Sequence, residues 1–168
     1  MRLEIACDWR GRTLPSAQHA FIEFVRSGDQ LRVSFDAPYF ADPAPSGPPG
    51  PTPRLWEHEV IELFIADGAE HYLELEFGPH GHHLALELAG VRRVLRDRMP
   101  LDYDVRIDGG RYRGAAVVPV SYLPRSPARV NAYLIHGSAS ARCYHAHAPT
   151  LGPQPDFHQL EKFVPLSW

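Results

Sequence analysis

Three glutamates and two groups of histidines are the residues of this chain whose types and spacing suit chemistry. Glu62 lies in the run Val60–Ala66, and Glu74 and Glu76 lie in Tyr72–Phe77. In the first run Val60, Glu62 and Phe64 share one face, while Ile61, Leu63 and Ile65 form a wholly aliphatic face that must point into a core. Glu62 is thereby assigned to the outer side of its strand, and pairing with the next strand brings Glu74 and Glu76 beside it. Like charges opposed across strands destabilise a sheet, so such a face calls for a compensating group: a metal ion, an arginine such as Arg106 or Arg113, or the hydroxyls of a ligand. Polyhydroxyl ligands suit carboxylates because each ionised oxygen accepts hydrogen bonds from hydroxyl donors. The plain alternative is three solvated glutamates on an open sheet face.

The ten histidines include His80, His82 and His83 in one stretch and the pair His145 and His147 in another. Imidazoles two residues apart on a strand share a face, which suits a transition metal, but a zinc site takes three or four protein ligands and spacing fixes no third here. The first stretch follows Gly78-Pro79, a turn signal, so its histidines are expected beside a hairpin turn. Whether either group binds metal is left open. No GxSxG elbow, P-loop, GxGxxG or HExxH pattern occurs, and His58-Glu59 is only a fragment of the last. A spatial pair of carboxylates of the glycosidase kind is neither supported nor excluded.

The elements that position these residues are strands. The 168 residues suit one domain, residues 1–168. Seventeen prolines and 13 glycines break helices, and 18 aromatic residues favour strands. Period-two patterns bounded by turn residues predict about ten strands: Leu3–Ala6, Ala20–Val25, Leu31–Asp36, Val60–Ala66, Tyr72–Phe77, Leu84–Leu88, Tyr103–Ile107, Tyr112–Val120, Val130–His136 and Arg142–His147. Their spacing implies an all-β, two-sheet antiparallel sandwich of jelly-roll or immunoglobulin-like type. Residues 38–53 carry seven prolines and are expected to hold neither helix nor paired strand; they form a long loop that is a lid, a partner-binding polyproline stretch or a plain insertion. Val91–Arg98 reads equally as a short helix or as a charged hairpin edge, and its four arginines as solvated surface.

Net charge is −3, which gives no electrostatic drive toward nucleic acid. Cys7 and Cys143 are far apart in sequence, form no CxxC spacing, and are expected as free thiols. No run approaches the roughly 20 apolar residues of a membrane span, and no apolar leader begins the chain. The expected location is cytoplasmic as written, or secreted if a leader has been removed.

Four segments in order carry a family resemblance: Leu55–Ile65 (LWEHEVIELFI), Tyr72–Gly81 (YLELEFGPHG), Val130–Tyr133 (VNAY) and Pro155–Phe163 (PDFHQLEKF). Together they resemble the family 9 carbohydrate-binding modules and their DOMON-like relatives, over residues 54–163. The resemblance implies a sandwich with a sugar cleft in which aromatic rings stack on a pyranose and polar groups grip its hydroxyls. It places Trp56 as a stacking aromatic, Glu62 as a hydroxyl-binding carboxylate, and Glu74 and Tyr133 at cleft-facing positions. In Tyr144–Pro149, His147 stands where the family has its second stacking Trp. Leu160 replaces a usual proline. Some family members hold structural calcium, for which Glu57, Glu59 and Asp67 are candidates. Other relatives bind haem through Met and His, but only Met1 and Met99 are available here, which leaves bis-His ligation.

The leading expectation is a non-catalytic carbohydrate-binding module that uses Trp56, Glu62, Glu74, Tyr133 and His147, with no cofactor beyond a structural calcium. Its rivals are a metal-dependent or glycoside-cleaving enzyme using the histidines and glutamates, and a protein-interaction domain acting through the proline-rich loop.

Overall fold

A computed structural model describes residues 1–168. In chain order the strands are β1 (Arg2–Ile5), β2 (Cys7–Asp8), β3 (Ala20–Ser27), β4 (Gln30–Pro38), β5 (Gly50–Pro51), β6 (Val60–Ala66) and β7 (His71–Phe77). They continue as β8 (His82–Ala89), β9 (Val94–Arg96), β10 (Asp102–Asp108), β11 (Arg111–Pro119), β12 (Arg129–His136), β13 (Cys143–Ala146) and β14 (Val164–Pro165). The ten expected strands are all present. The four that sequence reading misses, β2, β5, β9 and β14, are two or three residues long, too short to show a period.

Two sheets result. One has five strands in the order β1-β3-β4-β11-β10, and the other runs β2-β13-β12-β6-β7-β8-β5, with β14 on β12 and β9 on β8. Every pair is antiparallel except β5–β8. The main core of 23 buried residues fills the space between them, built from alternating side chains such as Ile22, Phe24, Val33 and Phe35 on one side and Ile61, Leu63, Leu73 and Leu75 on the other. No helix is long and apolar enough to cross a membrane.

The large sheet has a second core on its outer face. Phe64, Tyr72, Leu86, Tyr133 and Ile135 pack there under Leu55, Phe157 and Phe163, which connecting segments supply. Asn131 ties one of those segments down: its side chain accepts the Ala148 N–H at 3.0 Å and donates to the Ala148 carbonyl at 3.0 Å. Every residue of β6 is therefore buried. The open, solvated acidic face allowed by the strand pattern does not exist, because loops distant in sequence roof it over.

Two further expectations are corrected or decided. The proline-rich segment does contain paired backbone: Gly50–Pro51 aligns in parallel with His82–His83, a position a proline tolerates at a sheet edge. The same segment is pinned by Glu59, whose buried carboxylate accepts the N–H groups of Phe40 at 2.8 Å and Asp42 at 3.1 Å. Val91–Arg98 adopts the hairpin-edge alternative, with β9 paired to β8.

Candidate functional site

A cavity of about 720 Å³ opens on the outer face of the large sheet. Its floor comes from alternate residues of β6, β7 and β8: Glu62, Phe64, Glu74, Leu86 and Leu88. Its walls come from Trp56, Arg92, Val94, Arg142, Tyr144, Phe157 and His158. Strand register explains the floor, since Glu62 lies opposite Glu76 and Phe64 opposite Glu74, which puts all three carboxylates on the face turned away from the main core.

The three glutamates are buried, at 1%, 3% and 0% exposure for Glu62, Glu74 and Glu76. Glu62 Oε2, Glu74 Oε2 and both carboxyl oxygens of Glu76 are buried without a hydrogen-bond partner. Burial pushes all three toward the protonated form, and mutual repulsion adds to it at Glu62 and Glu76. Glu74 is pushed up to about 8 by burial, opposed first by its contact with the Glu76 carboxyl and then by Arg92. Neither Arg106 nor Arg113 compensates them: both belong to the five-stranded sheet, and Arg113 pairs with Asp36 at 2.8 Å.

Trp56 is held at the cavity by one arginine. Arg142 Nη1 donates to the carbonyls of Glu57 at 2.7 Å and Gly137 at 2.8 Å, and Nη2 donates to those of Trp56 and His58. That guanidinium thus clasps the 3-10 turn Leu55–Glu57, on which Trp56 stands 40% exposed. Across the cavity, Arg92 Nη2 donates to Asp156 at 2.8 Å, and its backbone N–H donates to Tyr72 Oη at 3.0 Å. The same Tyr72 hydroxyl lies 2.7 Å from His158 Nδ1, and burial holds His158 down at about 4.

The candidate residues separate cleanly. Trp56, Glu62 and Glu74 come together on the cavity. Tyr133 lies one layer behind it, fully buried, stacked on the cavity residue Phe157 with ring centroids 3.7 Å apart. His147 is turned away: strand alternation places Tyr144 and Ala146 on the cavity side with Ile135 and Tyr133, and His147 on the other, where its Nδ1 lies 2.8 Å from the Glu4 carbonyl. The aromatic that β13 contributes to the cavity is Tyr144.

The histidine groups do not assemble. His82 and His83 are consecutive in β8 and face opposite ways, and His145 packs against Phe40 and His136 rather than toward a third donor. Glu57, Glu59 and Asp67 are likewise dispersed, with Glu57 paired to Arg54, Glu59 holding the proline-rich segment and Asp67 accepting N–H groups in the β6–β7 turn. Glu62, Glu74 and Glu76 are the one group of three or more His, Cys, Asp or Glu donors close enough to share an ion.

Arg92, Arg142, Tyr144 and Phe157 escape a site assignment from sequence. Arg92 hides in a stretch that reads as solvated surface, although its place at a predicted hairpin end is a usable signal. Arg142 carries none, because its partners are backbone carbonyls 84 to 86 residues away together with that of Gly137.

No family model matches the chain. Among curated proteins it is 41% identical over 147 residues to the mouse UPF0462 protein C4orf33 homolog, covering 82% of this chain and 77% of that one. The human UPF0462 protein C4orf33 is 38% identical over 173 aligned positions, covering 97% of this chain and 86% of its own. The chain belongs to the UPF0462 family. The fold of this UPF0462 member is shared with a crystal structure of a candidate carbohydrate-binding protein from Bacteroides uniformis, at a TM-score of 0.75 and 13% identity, over 98% of this chain and 84% of that one.

Proposed function

We propose that this UPF0462 chain is a non-catalytic carbohydrate-binding module of the family 9-like, DOMON-like kind, which takes a sugar or sugar-derived ligand in the cavity beside Trp56. The observation that carries the reading is the composition of that cavity: buried carboxyl groups with unpartnered oxygens on its floor, and the rings of Trp56, Tyr144 and Phe157 on its walls. A sugar presents hydroxyls at its edge and an apolar C–H face, which are the two surfaces this lining can satisfy at once. At about 720 Å³ the space falls within the roughly 300–1,000 Å³ usual for small-molecule sites. The fold shared with a candidate carbohydrate-binding protein supports the same reading.

Glu62 and Glu74 are the hydroxyl-binding groups in this account and Trp56 the stacking surface. Tyr133 acts only through Phe157, whose ring it backs, and His147 has no direct part. Isothermal titration with a panel of mono- and disaccharides tests the reading. Binding to at least one sugar is expected, and Trp56→Ala should weaken it about 10-fold or more, in line with the roughly 1–3 kcal/mol of a stacked ring. No heat from any sugar, together with unchanged tryptophan fluorescence, would sink it.

A further inference from the structure

Two carboxyl groups with unpartnered oxygens on the floor of one cavity, Glu62 and Glu74, and a third buried behind them, Glu76, leave a specific question: what satisfies those oxygens? The nearby arginines are already engaged, Arg142 with four backbone carbonyls and Arg92 with Asp156. No histidine joins the group. Protein interiors seldom leave buried carboxylates without hydrogen bonds, because each unpaired oxygen costs the full desolvation penalty.

We propose that Glu62, Glu74 and Glu76 hold a calcium-sized divalent cation at the floor of the cavity, its open side facing the ligand. Geometry comes first. One carboxylate oxygen from each residue can be chosen so that all three lie within 4.8 Å of one another. Ca²⁺ binds oxygens at about 2.3–2.6 Å, so two ligands on opposite sides of one ion stand up to roughly 5 Å apart. The three oxygens therefore lie close enough together to share one ion, and the flexible coordination of calcium suits three carboxylates better than the near-octahedral set at about 2.0–2.1 Å that Mg²⁺ demands.

Glu76 is the second and independent pointer. It lies outside the cavity lining, is 0% exposed, and has both oxygens unpartnered, yet it turns toward Glu62 and Glu74. A side chain that served only to bind a ligand in the cavity would reach it; this one reaches the other two carboxylates. The donor set is all oxygen, which selects hard cations over zinc or copper. Three protein ligands cannot complete the six to eight that calcium takes. Because Glu62 and Glu74 line the cavity, the remaining positions open into it, where water or two adjacent hydroxyls of a ligand would complete the shell. That last step rests on the carbohydrate reading; the metal site itself does not.

The test uses full-length protein stripped with chelator, at pH 8, with no sugar present. Titration with CaCl₂ should give saturable one-to-one binding and raise the melting temperature by several degrees, with MgCl₂ weaker. Glu76→Gln and Glu62→Gln, which keep side-chain volume, should each lower calcium affinity about 10-fold or more. Absence of calcium-dependent heat and of a melting shift overturns the site, and so does calcium affinity that both variants leave unchanged. Sugar binding is then measured with calcium and with chelator. Calcium-dependent sugar binding supports the bridging role, and equal affinity in both overturns it. Calcium binding with no sugar bound under either condition retains the metal site and rejects the carbohydrate reading.

Discussion

Removing the guanidinium of Arg142 should loosen the turn that presents Trp56 without disturbing the sandwich beneath it. In Arg142→Gln four carbonyl acceptors lose their donor, two of them from contacts of 2.7 and 2.8 Å. A charged hydrogen bond contributes roughly 1.5–3 kcal/mol. The four cannot simply be added, because the freed carbonyls lie near the surface and regain water, so the expected loss is about 2 kcal/mol. Urea denaturation measures that figure. Amide exchange locates it: the His58 N–H, bonded to the Leu55 carbonyl at 2.9 Å inside the turn, should exchange faster, while amides in the middle of β6 follow only the global change. Ligand affinity should fall with the turn's order. A stability change under about 0.5 kcal/mol with unchanged exchange at His58 would refute the claim that Arg142 positions Trp56.

Two further outcomes test the fold that carries the site. His145 is buried and held neutral, at about 4 against an ordinary 6.5, by burial first and then by His136. The unfolded chain therefore binds more protons between those values. The stability His145 contributes is fully present above pH 6.5, falls as pH drops toward 4 by about 3 kcal/mol, and levels off below. Denaturation midpoints from pH 7 to 4 should accordingly show a shallower decline in His145→Gln than in the wild type, and parallel curves would contradict it. Gly114→Ala should destabilise by about 2 kcal/mol in the same assay, since an added Cβ would lie 3.0 Å from Tyr103 Cε2 and closer still to the ring of Phe35, which is stacked on Phe77; an unchanged midpoint would mean that this ring can shift.

The strands and their inward faces were legible because burial against one flat core writes a two-residue period into the chain, as Ile61, Leu63 and Ile65 display. The same period placed Glu62, Glu74 and Glu76 together on the far side. It could not say that this side is buried as well, since Leu55, Phe157 and Phe163, which cover it, belong to connections whose sequence carries no period. The family resemblance directed attention to Trp56 and put His147 at the second stacking position, but which side chain faces the cavity depends on strand parity: Tyr144 does and His147 does not.

By itself, then, the sequence determined an all-β sandwich and a row of three carboxylates on one sheet face, both set by local alternation. Tertiary structure alone decided that Glu62 and Glu74 lie on the floor of a roofed cavity with Glu76 buried behind them, and that its walls are fixed by Arg142 and Arg92. Packing against chain more than 80 residues away is a property of the closed fold, and no local pattern records it.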